Sequence, residues 1–313
     1  MSREPIAFVG RHPDAPARWL GHVQDAMADE RVVDLAALSD IEREAVRLAI
    51  VADPDPQDLA RLPSLEWVHG LWAGVERLVA ELPRELPIVR LVDPLMADTM
   101  SEAVLCAVLW LHRQGPDYNR QQRKAVWLQR EYSRAEDRRV TVMGLGHLGR
   151  ACAERLARNR FAVSGWSRSA KDVAGVTTFH ATPGLEAALV DADIVVSLLP
   201  ATPETRGFFD AATLRRLKPG AALINFGRGS AVDETALLAA LESGHLSHAF
   251  LDVFSAEPLP PAHPFWEHDD VTIWPHVSAP TDKQTAAAIV AENVASWRAT
   301  GQLPPTVDRL RGY

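Results

Sequence analysis

The sequence predicts an α/β protein with two parallel-sheet domains, on three observations. Short apolar runs alternate with helical stretches from end to end, the chain has 313 residues, and one glycine-rich turn, Gly144-Leu145-Gly146-His147-Leu148-Gly149, joins a strand pattern to a helix pattern. Alternating strand and helix patterns favour parallel sheets covered by helices. At roughly 100–200 residues per domain the length allows two, each with its own core.

In the first third, residues 6–9, 32–35, 49–52, 67–69 and 88–92 read as strands, and Pro83, Pro87 and Pro94 punctuate the end of the series. A helix capped near Asp98 and Thr99 runs to His112 and stops at Gly115-Pro116. It is apolar over most of its circumference, which predicts burial. Its longest apolar run, 103–111, is well short of the roughly 18–20 residues that span a bilayer. Residues 118–139 are polar, with six arginines, Lys124 and the large apolar Trp127. They read either as a solvated helix and connector or as an arm that lays Trp127 on another subunit. A second series follows, with strands expected at 140–143, 162–166, 194–198, 222–226, 249–253 and 271–274. Helices are expected at 148–159, 184–190, 211–217, 233–243 and 282–298, the last ended by Gly301.

Composition narrows the function classes. With 47% hydrophobic and 24% charged residues the chain is neither disordered nor fibrous. A net charge of −8 argues against nucleic acid or an anionic membrane as the main partner. The two cysteines, Cys106 and Cys152, lie in apolar helical patterns and form neither a disulfide framework nor a metal-ligand spacing. The N-terminal residues lack the apolar core of a signal peptide. A cytoplasmic location and no metal are the expectation.

Three pieces of chemistry stand out. In the glycine-rich turn the first glycine permits the bend, the second lets a pyrophosphate approach the backbone, and the third lets the helix pack on its strand. Free N–H groups and the helix dipole then face the phosphates. The next strand ends in Gly165-Trp166-Ser167-Arg168-Ser169, with Lys171 beyond. An Asp or Glu there would accept a ribose 2′-OH. Its replacement by a guanidinium, a hydroxyl and an ammonium favours a 2′-phosphate, so NADP(H) is expected, with NAD(H) the alternative. Finally, three later strand ends carry Gly227-Arg228-Gly229, Glu257-Pro258 and Pro275-His276. Ligands of open parallel sheets bind beyond such ends. Reduction of a ketoacid needs a cation for the substrate carboxylate, a proton donor for the developing alkoxide, and a carboxylate to orient that donor. Arg228, His276 and Glu257 make the set. Each alone has a bland reading, as a structural turn, a solvated loop residue and a scaffold histidine.

The chain resembles the D-isomer-specific 2-hydroxyacid dehydrogenases over nearly its full length. The likeness rests on the glycine turn, Leu199-Pro200-x-Thr-Pro-x-Thr205, Asn225-Phe226-Gly227-Arg228-Gly229, Leu251-Asp252-Val-Phe-x-x-Glu257-Pro258 and Pro275-His276. Within that family it is most similar to the glyoxylate/hydroxypyruvate reductase A group, through Trp166-Ser167-Arg168, Trp72-Ala73-Gly74-Val75 and the closing Val307-Asp-Arg-x-Arg-Gly-Tyr313. The resemblance implies two Rossmann-like or flavodoxin-like domains with parallel sheets, the cofactor domain inserted into a discontinuous substrate domain. Residues 1–100 and 282–313 would form the substrate domain and 101–281 the dinucleotide-binding domain, with hinges near 96–101 and 279–282 whose closure excludes water.

It also implies NADPH-dependent reduction of glyoxylate and hydroxypyruvate, with Arg228 binding substrate, His276 as acid/base and Glu257 as its partner. Ala73, Gly74 and Val75 would bind the substrate carboxylate through backbone N–H groups, with Trp72 beside them also binding substrate, although Trp72–Val75 could also be an ordinary strand-to-helix turn. Asp252 would contact the nicotinamide carboxamide, and Leu199, Pro200 and Thr205 would line the cofactor, as would Phe226, Gly227, Arg228, His276 and Ser278. Trp72, Met96, Phe226 and Trp274 would wall the substrate pocket. A homodimer is implied, with residues 118–139 at its contact. Gly227 stands where relatives often have Ala, which is expected to loosen that turn slightly. A cofactor-sensing binding protein without turnover, or a dehydrogenase of another substrate, is the alternative reading.

Overall fold

The protein is described from a computed structural model that covers residues 4–309 and Gly312. It divides into two compact units, Met1–Leu95 with Thr281–Tyr313, and Met96–Pro280.

The first unit holds five parallel strands, β1 (Ile6–Gly10), β2 (Val32–Asp34), β3 (Leu48–Ala52), β4 (Trp67–Gly70) and β5 (Ile88–Val89). Their order is β2-β1-β3-β4-β5, the flavodoxin-like arrangement. Strands β3 and β4 are buried along their whole length, which is why they read as continuous apolar runs instead of alternating ones. On one face Ala7, Val9, Val51 and Val68 build a core with Leu78 and Val307. The helix Lys283–Thr300 packs beside the helix Ala15–Ala26. Its Trp297 meets Trp67 edge to face at 5.3 Å, and Asn293 Nδ2 donates to His69 Nε2 at 2.8 Å. Asp282 caps its start through the N–H groups of Gln284 and Thr285, and Gly301 ends it at a φ of 71°. The strand expected at 88–92 is only two residues long, Ile88–Val89, and irregular residues 90–93 lead from it to the helix that starts at Pro94.

The second unit holds seven parallel strands, β6 (Arg139–Met143), β7 (Ala162–Ser167), β8 (Thr177–His180), β9 (Ile194–Ser197), β10 (Ala221–Asn225), β11 (Leu246–Leu251) and β12 (Val271–Ile273). The order β12-β11-β10-β9-β6-β7-β8 reverses direction between β6 and β9, as in a Rossmann sheet with one added strand. Strand β8 was not expected, since Thr177–His180 is polar and half exposed at the sheet edge. Apolar residues of alternate strand positions fill two cores, one around Val140, Val142 and Val196, the other around Met143, Val195 and Leu223.

The helix Pro94–His112 starts four residues before Asp98, because Pro94 suits a first turn and Asp93 Oδ1 accepts from Leu95 N–H. It is long and apolar enough to cross a bilayer, yet Val104, Ala107 and Val108 are fully buried in the core with Val140 and Val142. Gln114, at a φ of 59°, ends that run, and Pro116 opens a second helix, Gly115–Arg123. From Val126 to Arg134 the backbone is irregular, and Trp127 is 98% exposed.

Candidate active site

The glycine turn lies at the switch point of the second sheet, between the ends of β6 and β9. Gly144 N–H donates to Trp166 O at 2.8 Å, and Gly146 is the N-cap of the helix His147–Arg158. The glycines differ in what demands them. A Cβ at Gly149 would sit 1.7 Å from Gly144 O, and one at Gly144, whose φ is 101°, would sit 2.9 Å from Leu198 O. At Gly146 nothing of the protein lies within 4 Å and the φ is an ordinary −71°. The glycine suits the N-cap position and leaves the backbone open to a ligand, so the turn fits a dinucleotide pyrophosphate. Leu145 and Leu148 turn into the core, Leu145 against Gly165, which leaves their backbone for a ligand. His147 stays exposed at the helix start.

At the end of β7, Trp166 Nε1 donates to Ala181 O, and the Trp166 ring packs on Phe208 at 5.7 Å. Ser167 Oγ donates to Ser169 O, holding the turn that exposes Arg168 and, further on, Lys171. The Leu199–Thr205 segment follows β9. Leu199 is buried, and the Thr205 hydroxyl donates to Pro200 O and accepts from Thr202 N–H at 2.9 Å. It therefore ties a turn and caps no helix.

After β10 comes the Arg228 loop, clamped on both sides. A Cβ on Gly227 would lie 2.7 Å from Leu199 O, and one on Gly229 1.9 Å from Phe254 C. The expectation that Gly227 loosens this turn is corrected: the glycine is needed for close backbone approach. Arg228 Nη1 donates to Gly227 O at 2.8 Å. Phe226 does not wall an open pocket either. It is buried and stacked on Trp274 at 5.5 Å and 21°, with Phe250 edge-on to both; Met96 is buried too.

Beyond β11 and β12 the two remaining residues meet. His276 Nδ1 lies 2.7 Å from Glu257 Oε2, with the imidazole 56% and the carboxylate 35% exposed. Glu257 Oε1 accepts from Phe254 N–H at 2.9 Å. His276 has a φ of 56°, uncommon for a residue with a side chain. Asp252 holds it there: its carbonyl accepts from His276 N–H at 2.9 Å, and its buried carboxylate accepts from Val277 N–H at 2.7 Å and from the N–H and hydroxyl of Ser278. Arg228, Glu257 and His276 line one pocket of about 280 Å³ with Gly229, Phe254 and Ser255.

Trp72 and Gly74 belong to the first unit. There they line a separate cavity of about 310 Å³ with Asp53 and Arg77, whose Nη1 donates to Asp53 Oδ2 at 2.6 Å. Residues 71–75 are a strand-to-helix turn leading from β4 into the helix Glu76–Glu81. Sequence reasoning missed Asp53 and Arg77, which no spacing or motif distinguishes from other surface charges.

Residues 105–278 match the family model of the D-isomer specific 2-hydroxyacid dehydrogenase, NAD binding domain. The chain belongs to the D-isomer-specific 2-hydroxyacid dehydrogenase family and is an oxidoreductase with a dinucleotide-binding domain. It is 39% identical over 273 residues to glyoxylate/hydroxypyruvate reductase A of Serratia proteamaculans, covering 85% of this chain and 87% of that one. Among solved structures it is similar to a D-isomer-specific 2-hydroxyacid dehydrogenase of Xanthobacter autotrophicus in complex with NADPH and MES, at a TM-score of 0.93 and 40% identity over all of both chains. It is also similar to an NADPH-dependent glyoxylate/hydroxypyruvate reductase of Sinorhizobium meliloti in complex with NADP and sulfate, at 0.91 and 35%, covering 99% of this chain and all of that one.

Proposed function

We propose that the protein reduces small 2-oxoacids, glyoxylate and hydroxypyruvate among them, with NADPH as reductant. The observation that carries this reading is the 2.7 Å contact of His276 and Glu257 in a pocket that Arg228 also lines. An ionised carboxylate only accepts, so Nδ1 donates to it and Nε2 is left to exchange a proton with substrate. Gly144–Gly149 would hold the pyrophosphate, and Ser167, Arg168 and Lys171 a 2′-phosphate, since no carboxylate ends β7 to repel one. Once bound, the reduced nicotinamide supplies the hydride that reaches the substrate's C2. Arg228 holds the substrate carboxylate and polarises the carbonyl. Ala73, Gly74 and Val75 are read as further donors to that carboxylate. His276 passes its Nε2 proton to the carbonyl oxygen, and Glu257 keeps the ring oriented as the 2-hydroxyacid forms. A relative named glyoxylate/hydroxypyruvate reductase A, and a similar structure of an NADPH-dependent glyoxylate/hydroxypyruvate reductase in complex with NADP, support the substrate class and the cofactor.

Initial rates with glyoxylate, hydroxypyruvate, pyruvate and phenylpyruvate, each with NADPH and with NADH, test the reading. NADPH with glyoxylate or hydroxypyruvate is expected to give the highest kcat/KM, and His276→Ala to lower kcat by about 10²–10⁴-fold. Tight NADPH binding without turnover across the panel would instead mark a cofactor sensor. The same reading makes the protein a homodimer through the exposed Trp127 segment. Light scattering should give twice the chain mass, and Trp127→Ala should shift it towards monomer.

A further inference from the structure

Two carboxylate–imidazole pairs meet at one turn. The first is Glu257 and His276. The second joins Glu234, in the first turn of the helix Glu234–Glu242, to His263, whose Nε2 lies 3.4 Å from Glu234 Oε2. Two consecutive backbone donors divide between the pairs. Phe254 N–H donates to Glu257 Oε1 at 2.9 Å, and Ser255 N–H to Glu234 Oε1 at 2.9 Å. His263 has its tautomer set from the far side: Nδ1 accepts from Phe265 N–H at 3.3 Å, so Nε2 carries the proton and faces Glu234. Both oxygens of Glu234 are thereby used, one on the turn and one on a ring anchored to a different loop. The opposite side of the turn is closed by Gly229, packed against the backbone of Phe254.

We infer that Glu234 is a positioning residue for the reduction, gripping the 254–257 turn through Ser255 so that the Glu257 carboxylate stays aimed at His276 Nδ1. This rests on the acid role of His276 and its pairing with Glu257 given above. A charged acceptor suits the task because its hydrogen bonds are stronger than those of a neutral one. Without it, Ser255 N–H loses its partner and the turn is free to rotate Glu257 away from the ring. An amide at this position is a poor substitute. Its oxygen can still take the Ser255 N–H, but its NH₂ then faces the Nε2–H of His263, donor against donor.

The test compares the full-length parent with E234A, E234Q, E257Q and the double variant E234A/E257Q, using NADPH and the best ketoacid of the panel. The affinity for NADPH is read separately by fluorescence titration. E234A is expected to lower kcat about tenfold, equivalent to about 1.4 kcal/mol of lost transition-state stabilisation, with NADPH affinity unchanged. E234Q should lose less. In the E257Q background E234A should cost nothing further, because no carboxylate remains to be aimed. A parental kcat in E234A, an equal loss in the E257Q background, or a parallel loss of NADPH affinity would each overturn the inference. Should E234A fail to fold, E234Q and its combination with E257Q decide by the same comparison. If E257Q itself keeps the parental kcat, the reading of the Glu257–His276 pair fails, and the role of Glu234 falls with it.

Discussion

Gly227 has no room for a methyl group, and that makes it the sharpest residue on which to probe the site. A Cβ there meets both Leu199 O at 2.7 Å and Leu199 N at 2.9 Å, two backbone atoms that cannot rotate aside. Gly227→Ala should therefore displace the Arg228 loop and cost about 1–3 kcal/mol of stability, measured by urea unfolding, together with a clear loss of kcat. Arg228, Glu257 and His276 were legible from sequence because each follows a strand pattern in a parallel sheet, where ligands bind. Glu234 and His263 were not. An acid in the first turn of a helix looks like an ordinary dipole partner, and only the fold brings Ser255 to it. Phe226 misled for the opposite reason: an aromatic at a strand end suggests a pocket wall, whereas Trp274 and Phe250 take up its faces.

At the scale of elements, two buried histidines tie strands to their neighbours. Burial holds His69 down to about 4 despite its bond to Gly70 O, and burial, followed by the Arg120 guanidinium, holds His248 to about 4. Both are neutral in the folded protein near neutrality. Their folded values lie below the usual 6.5, so the unfolded chain binds more protons between about pH 6.5 and 4. Their contribution to stability is complete above pH 6.5 and is lost as the pH falls towards 4. At pH 5 the loss is about 2 kcal/mol for each. Thermal melts should show Tm falling from pH 7 to 5, and His69→Gln should flatten that fall; an unchanged slope would remove His69 from the account. Most elements were legible because buried parallel strands are nearly unbroken apolar runs. The edge strand β8 was not, since half-exposed Thr177 to His180 carry no such signal. Nor was the start of the helix at Pro94, where a proline that reads as a terminator instead occupies a first turn.

For the whole molecule, the second unit is continuous in sequence and has two cores of its own, whereas the first is assembled from both ends of the chain. A fragment of residues 94–280 should fold cooperatively and bind NADPH without reducing any ketoacid. Calorimetry and fluorescence titration check this, and a fragment that stays unfolded would show that the unit depends on the rest of the chain. The number of α/β domains could be read from length and alternation, whereas the use of both termini in one of them was implied only by the family resemblance. No local pattern reveals that a C-terminal helix answers to a strand far upstream.

The contact of Asn293 with His69 spans 224 positions. A ribosome adding about 5–20 residues each second needs on the order of ten to forty seconds to travel between them. Throughout that interval Trp67 is without Trp297, whereas the last strand of the middle unit's own sheet, Val271–Ile273, is made before Asn293. The unit begun first is thus the one finished last. A nascent chain of this protein spends its synthesis with one apolar strand face waiting for its cover, so the burden on chaperones falls on the opening residues, and a message cut short before residue 283 would leave that face bare permanently.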